Sequence, residues 1–144
     1  MQFTDAAGAA LTAARDEAHL YGSSVVRHEH ILLGILDQES CTAVKALRLA
    51  GALRRGLRPR LTTALGEPTE ILSDRAPTSY DMNRLRRLGE YEALALSHSA
   101  IGTEHLLLGL IRGEEGFVAE LLREVGAGDL DVMRDRVIEA RAQR

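Results

Sequence analysis

Leu11, Ala14 and Ala18 recur at spacings of three and four, the mark of one buried face of a helix. Thr4 is placed to cap that helix, Phe3 to pack back on its first turn as a hydrophobic staple, and Asp5 lies where the helix dipole favours an acid. The helix is predicted to run through Leu20 and to end at Gly22-Ser23-Ser24. A second helix, from His28 to about Asp37, carries Ile31, Leu32, Leu33, Ile35 and Leu36. It is apolar nearly all round and is therefore expected at the centre of the fold. A strand fits this run poorly, because it lacks alternation and is rich in Leu rather than β-branched residues. Gly34 within it is expected to let a neighbouring helix approach closely. A third helix over about Thr42–Leu49 turns Ala43, Val44 and Leu47 inward and stops at Gly51. A fourth begins near Leu57 or Arg58, since Pro59 is tolerated only in a first turn, and ends about Leu65.

Residues 66–77 hold Gly66, Pro68 and Pro77 among charged residues and read as a linker. The pattern then starts again. Thr78 or Ser79 is predicted to cap a helix through about Leu96, and Thr103 a buried helix to about Ile111. A third helix covers about Phe117–Val125, and Asp129 opens a last one reaching about Ala140. The restart is a true repeat. His28-Glu29-His30-Ile31-Leu32-Leu33-Gly34 returns as Thr103-Glu104-His105-Leu106-Leu107-Leu108-Gly109, at a constant offset of 75. The same offset carries Glu17 to Glu92, Leu47 to Leu122, Arg48 to Arg123 and Gly51 to Gly126 without a gap. Beyond that, the turn Gly126-Ala127-Gly128 is one residue longer than its counterpart. Internal repetition fixes architecture. The expected fold is all-α: one domain over 1–144, with eight helices in two pseudo-two-fold repeats of four, residues 3–65 and 78–140.

Composition narrows the chemistry. Aromatic residues make up 3% and Trp is absent, so Leu, Ala, Val and Ile must build the core, which suits closely packed helices. A net charge of −3 gives no electrostatic reason to expect a nucleic-acid partner. Cys41 is alone, which excludes an intramolecular disulfide and a cysteine metal cluster. Its repeat counterpart is Gly116 and nothing near it forms a base-and-orienter set, so a small buried or half-buried thiol is expected. The N-terminus has no signal-peptide pattern, and no apolar run approaches the ~20 residues that cross a bilayer, so a cytoplasmic protein without a membrane partner is expected. His28 and His30 lie two apart, about 200° around a helix, and cannot chelate one metal there. His30 and His105 are expected instead to bond polar groups between helices. Arg54, Arg55, Arg58 and Arg60 read as a solvated helix face. Lys45, the only lysine, sits in Val-Lys-Ala, so there is no phosphate-binding Walker A loop. With no catalytic constellation either, neither enzymatic activity nor a cofactor is expected.

Phe3-Thr4 at a helix start, Glu17-Ala18, and the Thr-Glu-His-Leu-Leu-Leu-Gly motif after Gly102, in two copies, resemble the Clp N-terminal repeat domain. That domain precedes the ATPase rings of ClpC- and ClpA-type AAA+ unfoldases. The resemblance covers Phe3 to about Ala140; Arg27 and His28 depart from the usual Gly-Thr, and Tyr80-Asp81 from the usual Pro-Arg. It implies a non-catalytic domain, expected to be monomeric, that docks substrate proteins or adaptors of a Clp unfoldase in regulated proteolysis. It also implies two sites for phosphoarginine, a degradation mark, in which a motif glutamate pairs with the guanidinium and a hydroxyl at a helix start receives the phosphate. By motif position these are Glu29 with Thr4 and Glu104 with Ser79. Some members bind cyclic peptides on this domain. Met1 stands at the family's usual starting position, so a free-standing adaptor or decoy is expected; the alternative is the N-terminal fragment of a full ATP-dependent Clp unfoldase subunit.

Overall fold

Thr4 opens the first helix as its sequence predicts: Oγ1 accepts the Ala7 N–H at 3.1 Å, which satisfies one free donor of the first turn. The computed structural model describes residues 1–23, 25–66, 82–113 and 116–143. Among them run α1 (Asp5–Leu20), α2 (His28–Leu36), α3 (Thr42–Leu49), α4 (Leu57–Leu65), α5 (Met82–Ala95), α6 (Thr103–Arg112), α7 (Gly116–Glu124) and α8 (Leu130–Ala142). The architecture is all-α, four helices from each repeat in the same order. Most of the expected linker, and the cap expected for α5 at Thr78 or Ser79, lie outside the described residues.

The motif helices α2 and α6 form the centre. Ile31, Leu32, Leu33, Ile35, Leu106, Leu107, Leu108 and Leu110 are all buried. Around them α1 turns in Ala7, Ala10, Leu11, Ala14 and Ala18, and α3 turns in Ala43, Val44, Ala46 and Leu47. Small residues on α1 let it lie close to α2, and Gly34 sits against the α1 backbone at Ala10 and Ala14. Cys41 is a buried thiol whose Sγ lies 3.7 Å from the Ile35 carbonyl oxygen.

α1 and α5 end in the same way, on a residue in the left-handed region followed by a bond back to the last turn. In the first repeat this is Gly22 at φ 68°, with the Ser23 N–H donating to the Ala18 carbonyl at 2.9 Å. In the second it is Ser97 at φ 61°, with the His98 N–H donating to Ala93 at 2.8 Å. A Cβ is strained in that region and glycine is not. Ser97→Gly is therefore expected to raise stability by up to about 1 kcal/mol, read as a higher urea midpoint with an unchanged slope. A lower midpoint would mean that the serine hydroxyl does more than the backbone geometry indicates.

The two repeats interlock. α3 of the first packs on α8 of the second, and α2 meets α7 as α6 meets α3. Thr103 takes part in this contact: it is the first residue of α6, not its cap, and its Oγ1 accepts the Ala43 N–H at the start of α3 at 3.3 Å. The chain start also crosses over. Phe3 and Ile101 form an isolated parallel β-bridge, a pairing with no signal in the local pattern. Thr4 N–H donates to the Ile101 carbonyl, and Ile101 N–H to that of Gln2, both at 2.9 Å. Ile101 is fully buried, so its backbone groups need partners within the protein. Arg86 donates to the Met1 carbonyl at 3.0 Å and lies 5.7 Å above the Phe3 ring. Phe3 thus fastens the first repeat to the second.

Candidate functional site

The sites implied by sequence lie where α2 and α6 begin. Both helices start with the same device. His30 Nδ1 accepts the Arg27 N–H at 2.9 Å, and His105 Nδ1 accepts the Gly102 N–H at 2.8 Å. Each histidine is the third helical residue reaching back to its N-cap, the place that Glu or Gln takes in a capping box. The histidines therefore close their own helix ends, where a bridge between helices was expected. His105 does both. With Nδ1 accepting, its proton sits on Nε2, which faces His98 Nδ1 at 2.7 Å. Burial, then the neighbouring His98 and Arg141, push His105 down to about 4. His30 and His98 are also lowered, in both cases chiefly by burial.

The two motif glutamates occupy different environments. Glu104 is 4% exposed. Its carboxylate folds back over Gly102, so closely that a Cβ on that residue would stand 1.6 Å from Oε1. Arg141, in the last turn of α8, reaches it with Nη1 at 3.5 Å from Oε2. Glu29 is only half-buried. It lines an open cleft of about 360 Å³ with Arg27, His28, Arg84, Phe117 and Val118, where the starts of α2, α5 and α7 converge. Among the described residues that line the cleft are one carboxylate and two guanidinium-bearing side chains.

Of the two hydroxyls that the motif positions imply, Thr4 is among the described residues and Ser79 is not. The backbone bond from Thr4 to Ile101 brings Thr4 to the second motif, and Thr4 does not line the Glu29 cleft. The chain start thus crosses to the other repeat, and Thr4 caps α1. Ser79 lies outside the described residues; Arg84, five positions further along the chain, lines the Glu29 cleft.

Sequence reasoning passed over one charged cluster. Glu92 is fully buried and takes Arg134 at 2.9 and 3.0 Å and Arg112 at 3.3 Å. Arg112 also stacks 4.1 Å from the Tyr91 ring centroid. The 75-residue offset maps Glu92 to Glu17 and Arg112 to Asp37, so the first repeat has two acids where the second has one. Arg58 meets Asp37 there at 3.0 Å. Burial and the Asp37 carboxylate raise the Glu17 carboxyl. A charged residue recurring at a repeat position was the available signal. The cluster ties α5, α6 and α8 together and serves structure.

A profile described as the Clp repeat (R) N-terminal domain matches residues 2–125 and 78–141. The chain is 34% identical over 95% of its length to the ATP-dependent Clp protease ATP-binding subunit ClpA homolog of Cyanidium caldarium, and spans 16% of that protein. It is 33% identical, again over 95% of its length, to the chloroplastic chaperone protein ClpC of Pisum sativum, and spans 15% of it. Among solved structures, the Hsp104 N-terminal domain of Candida albicans superposes with a TM-score of 0.73 at 18% identity, covering 100% of this chain and 94% of that one. The N-terminal domain of ClpD from Arabidopsis thaliana gives 0.64 at 18% identity, covering 99% and 98%. At such identities the structures speak for the fold alone.

Proposed function

The chain belongs to the Clp repeat N-terminal domain family, and from that premise we propose that it is a non-catalytic docking module for proteins handled by a Clp unfoldase, with the Glu29 cleft receiving a phosphoarginine side chain. One observation carries the reading: Glu29, Arg27 and Arg84 line a single open cleft between the repeats. A carboxylate holds a guanidinium through paired, charge-assisted hydrogen bonds, and guanidinium groups hold phosphate in the same way. A phosphoarginine presents both groups at one end of a flexible stem. Plain arginine offers only the first and meets two cations, so it binds far less well. No Walker A sequence occurs in these residues, so any ATP-driven step belongs to other polypeptide.

Calorimetric titration with phosphoarginine and with arginine tests this. Glu29→Gln keeps the shape and removes the charge. It is expected to weaken phosphoarginine binding about tenfold or more, the worth of one charged hydrogen-bonded contact. Binding also weakens as salt rises toward 0.5 M, since the cleft is open to screening ions. Equal binding by wild type and Glu29→Gln would leave a docking domain without this ligand. A second reading, that these residues begin an ATP-dependent unfoldase subunit, is supported by relatives of which the chain spans only 15–16%. The mass of the native polypeptide distinguishes the two.

A further inference from the structure

We propose that the second motif site is closed from within: Arg141 occupies Glu104 as an internal guanidinium while Gly102 lets that carboxylate tuck against the backbone, so the chain offers one open site, at Glu29. This rests on the reading of the Glu29 cleft given above.

Three observations converge on it. Arg141 approaches Glu104 from the outer end of α8, its own side chain 43% exposed, and so lies between the buried carboxylate and solvent. The tuck itself needs a residue without a side chain at position 102, because the carboxylate oxygen stands where a Cβ would be. The first repeat differs at both places. The counterpart of Gly102 is Arg27, whose Cβ denies Glu29 the tucked position, and Glu29 turns to the open cleft. The counterpart of Arg141, allowing for the longer second turn, is Leu65, which packs on the core and offers no cation. The same motif thus stands open in one repeat and closed in the other.

An internal guanidinium competes at an effective concentration on the order of millimolar. A free ligand must displace it and also draw Glu104 off Gly102. Removing the Arg141 charge takes away the competitor while leaving the carboxylate and the α1 start in place. Arg141 lies near the exposed end of α8, so its truncation removes little packing, and the cost falls on the Glu104 carboxylate it leaves.

The experiment is calorimetric stoichiometry with phosphoarginine on the whole chain. Wild type is expected to bind one equivalent, and Glu29→Gln to weaken that site about tenfold or more, as above. Arg141→Ala is expected to bind two, and Arg141→Ala/Glu29→Gln to keep one. Should far-UV circular dichroism show that alanine disturbs α8, Arg141→Gln keeps the side-chain stem and serves in its place. Two equivalents on wild type, or one on a folded Arg141 variant, would overturn the internal occupant while leaving the Glu29 reading intact. If neither wild type nor any variant binds phosphoarginine, the underlying reading fails and takes this inference with it.

Discussion

Gly34→Ala is expected to be strongly destabilising for a change of one methyl group. The added Cβ would stand 2.2 Å from the Ala10 carbonyl oxygen, 2.8 Å from the Ala14 nitrogen and 3.2 Å from the Ala10 carbonyl carbon. All three are backbone atoms of α1, so no rotamer change can make room, and α1 must move off α2. Because α1 covers the central motif helix, that movement opens the core beneath Ala10, Ala14 and Ile31. Overpacking in cores costs about 1–3 kcal/mol and more where nothing can yield; about 3 kcal/mol or above is expected here. For a domain of this size that is roughly a 10 °C fall in Tm. Gly109→Ala, the same change in the second repeat, serves as control. Its Cβ would meet the Leu85 Cδ1 at 3.1 Å, the Leu88 Cβ at 3.3 Å and the Gly89 nitrogen at 3.4 Å. These contacts are looser and fall partly on side chains, and Gly89 supplies space on the facing helix. A cost nearer 1 kcal/mol is expected. Denaturant unfolding of both variants decides it: equal losses would mean that the first crossing is no tighter than the second.

That asymmetry marks what could be read from the sequence. The repeat, the eight helices, the buried motif helices and the need for glycine at position 34 all follow from periodicity and offset, because helix faces are local properties. The caps at Thr4 and Asp129 follow for the same reason; Asp129 Oδ1 accepts the Val132 N–H at 3.0 Å. What stayed hidden depends on how the repeats meet. No local pattern says that Thr4 pairs with Ile101, so none says that the chain start crosses to the second repeat. No pattern says that Arg141, 37 residues from Glu104, reaches it across the second repeat. The histidines were legible in principle. Had the caps been set at Arg27 and Gly102, where the backbone is extended, His30 and His105 would have stood out as third-position acceptors; a cap at Thr103 hid the second.

Because His105 is one of those acceptors, the domain is expected to lose stability in mild acid. His105 is fully buried and neutral, with Nδ1 engaged by the Gly102 N–H. A proton placed on Nδ1 would point at that N–H, end the cap and put a cation in the core. Its folded value of about 4 lies below the ordinary 6.5. Between those values the unfolded chain binds a proton that the folded chain refuses. The contribution is therefore intact above pH 6.5 and declines as pH falls toward 4. The loss comes to roughly 3 kcal/mol once the window is crossed, at about 1.4 kcal/mol per unit. His30 and His98, lowered too, act in the same direction. Glu17, whose carboxyl is raised, opposes them, since the folded state takes up that proton more readily than the unfolded chain. Urea unfolding at pH 7 and pH 4.5 measures the slope, and His105→Gln separates the cause. Glutamine at the third helical position keeps an acceptor for Gly102 but does not titrate. The variant is expected to start less stable, having lost the ring's packing and the bond to His98, yet to show a distinctly flatter fall with acid. If its stability drops between pH 7 and 4.5 as steeply as that of the wild type, the acid sensitivity comes from another group.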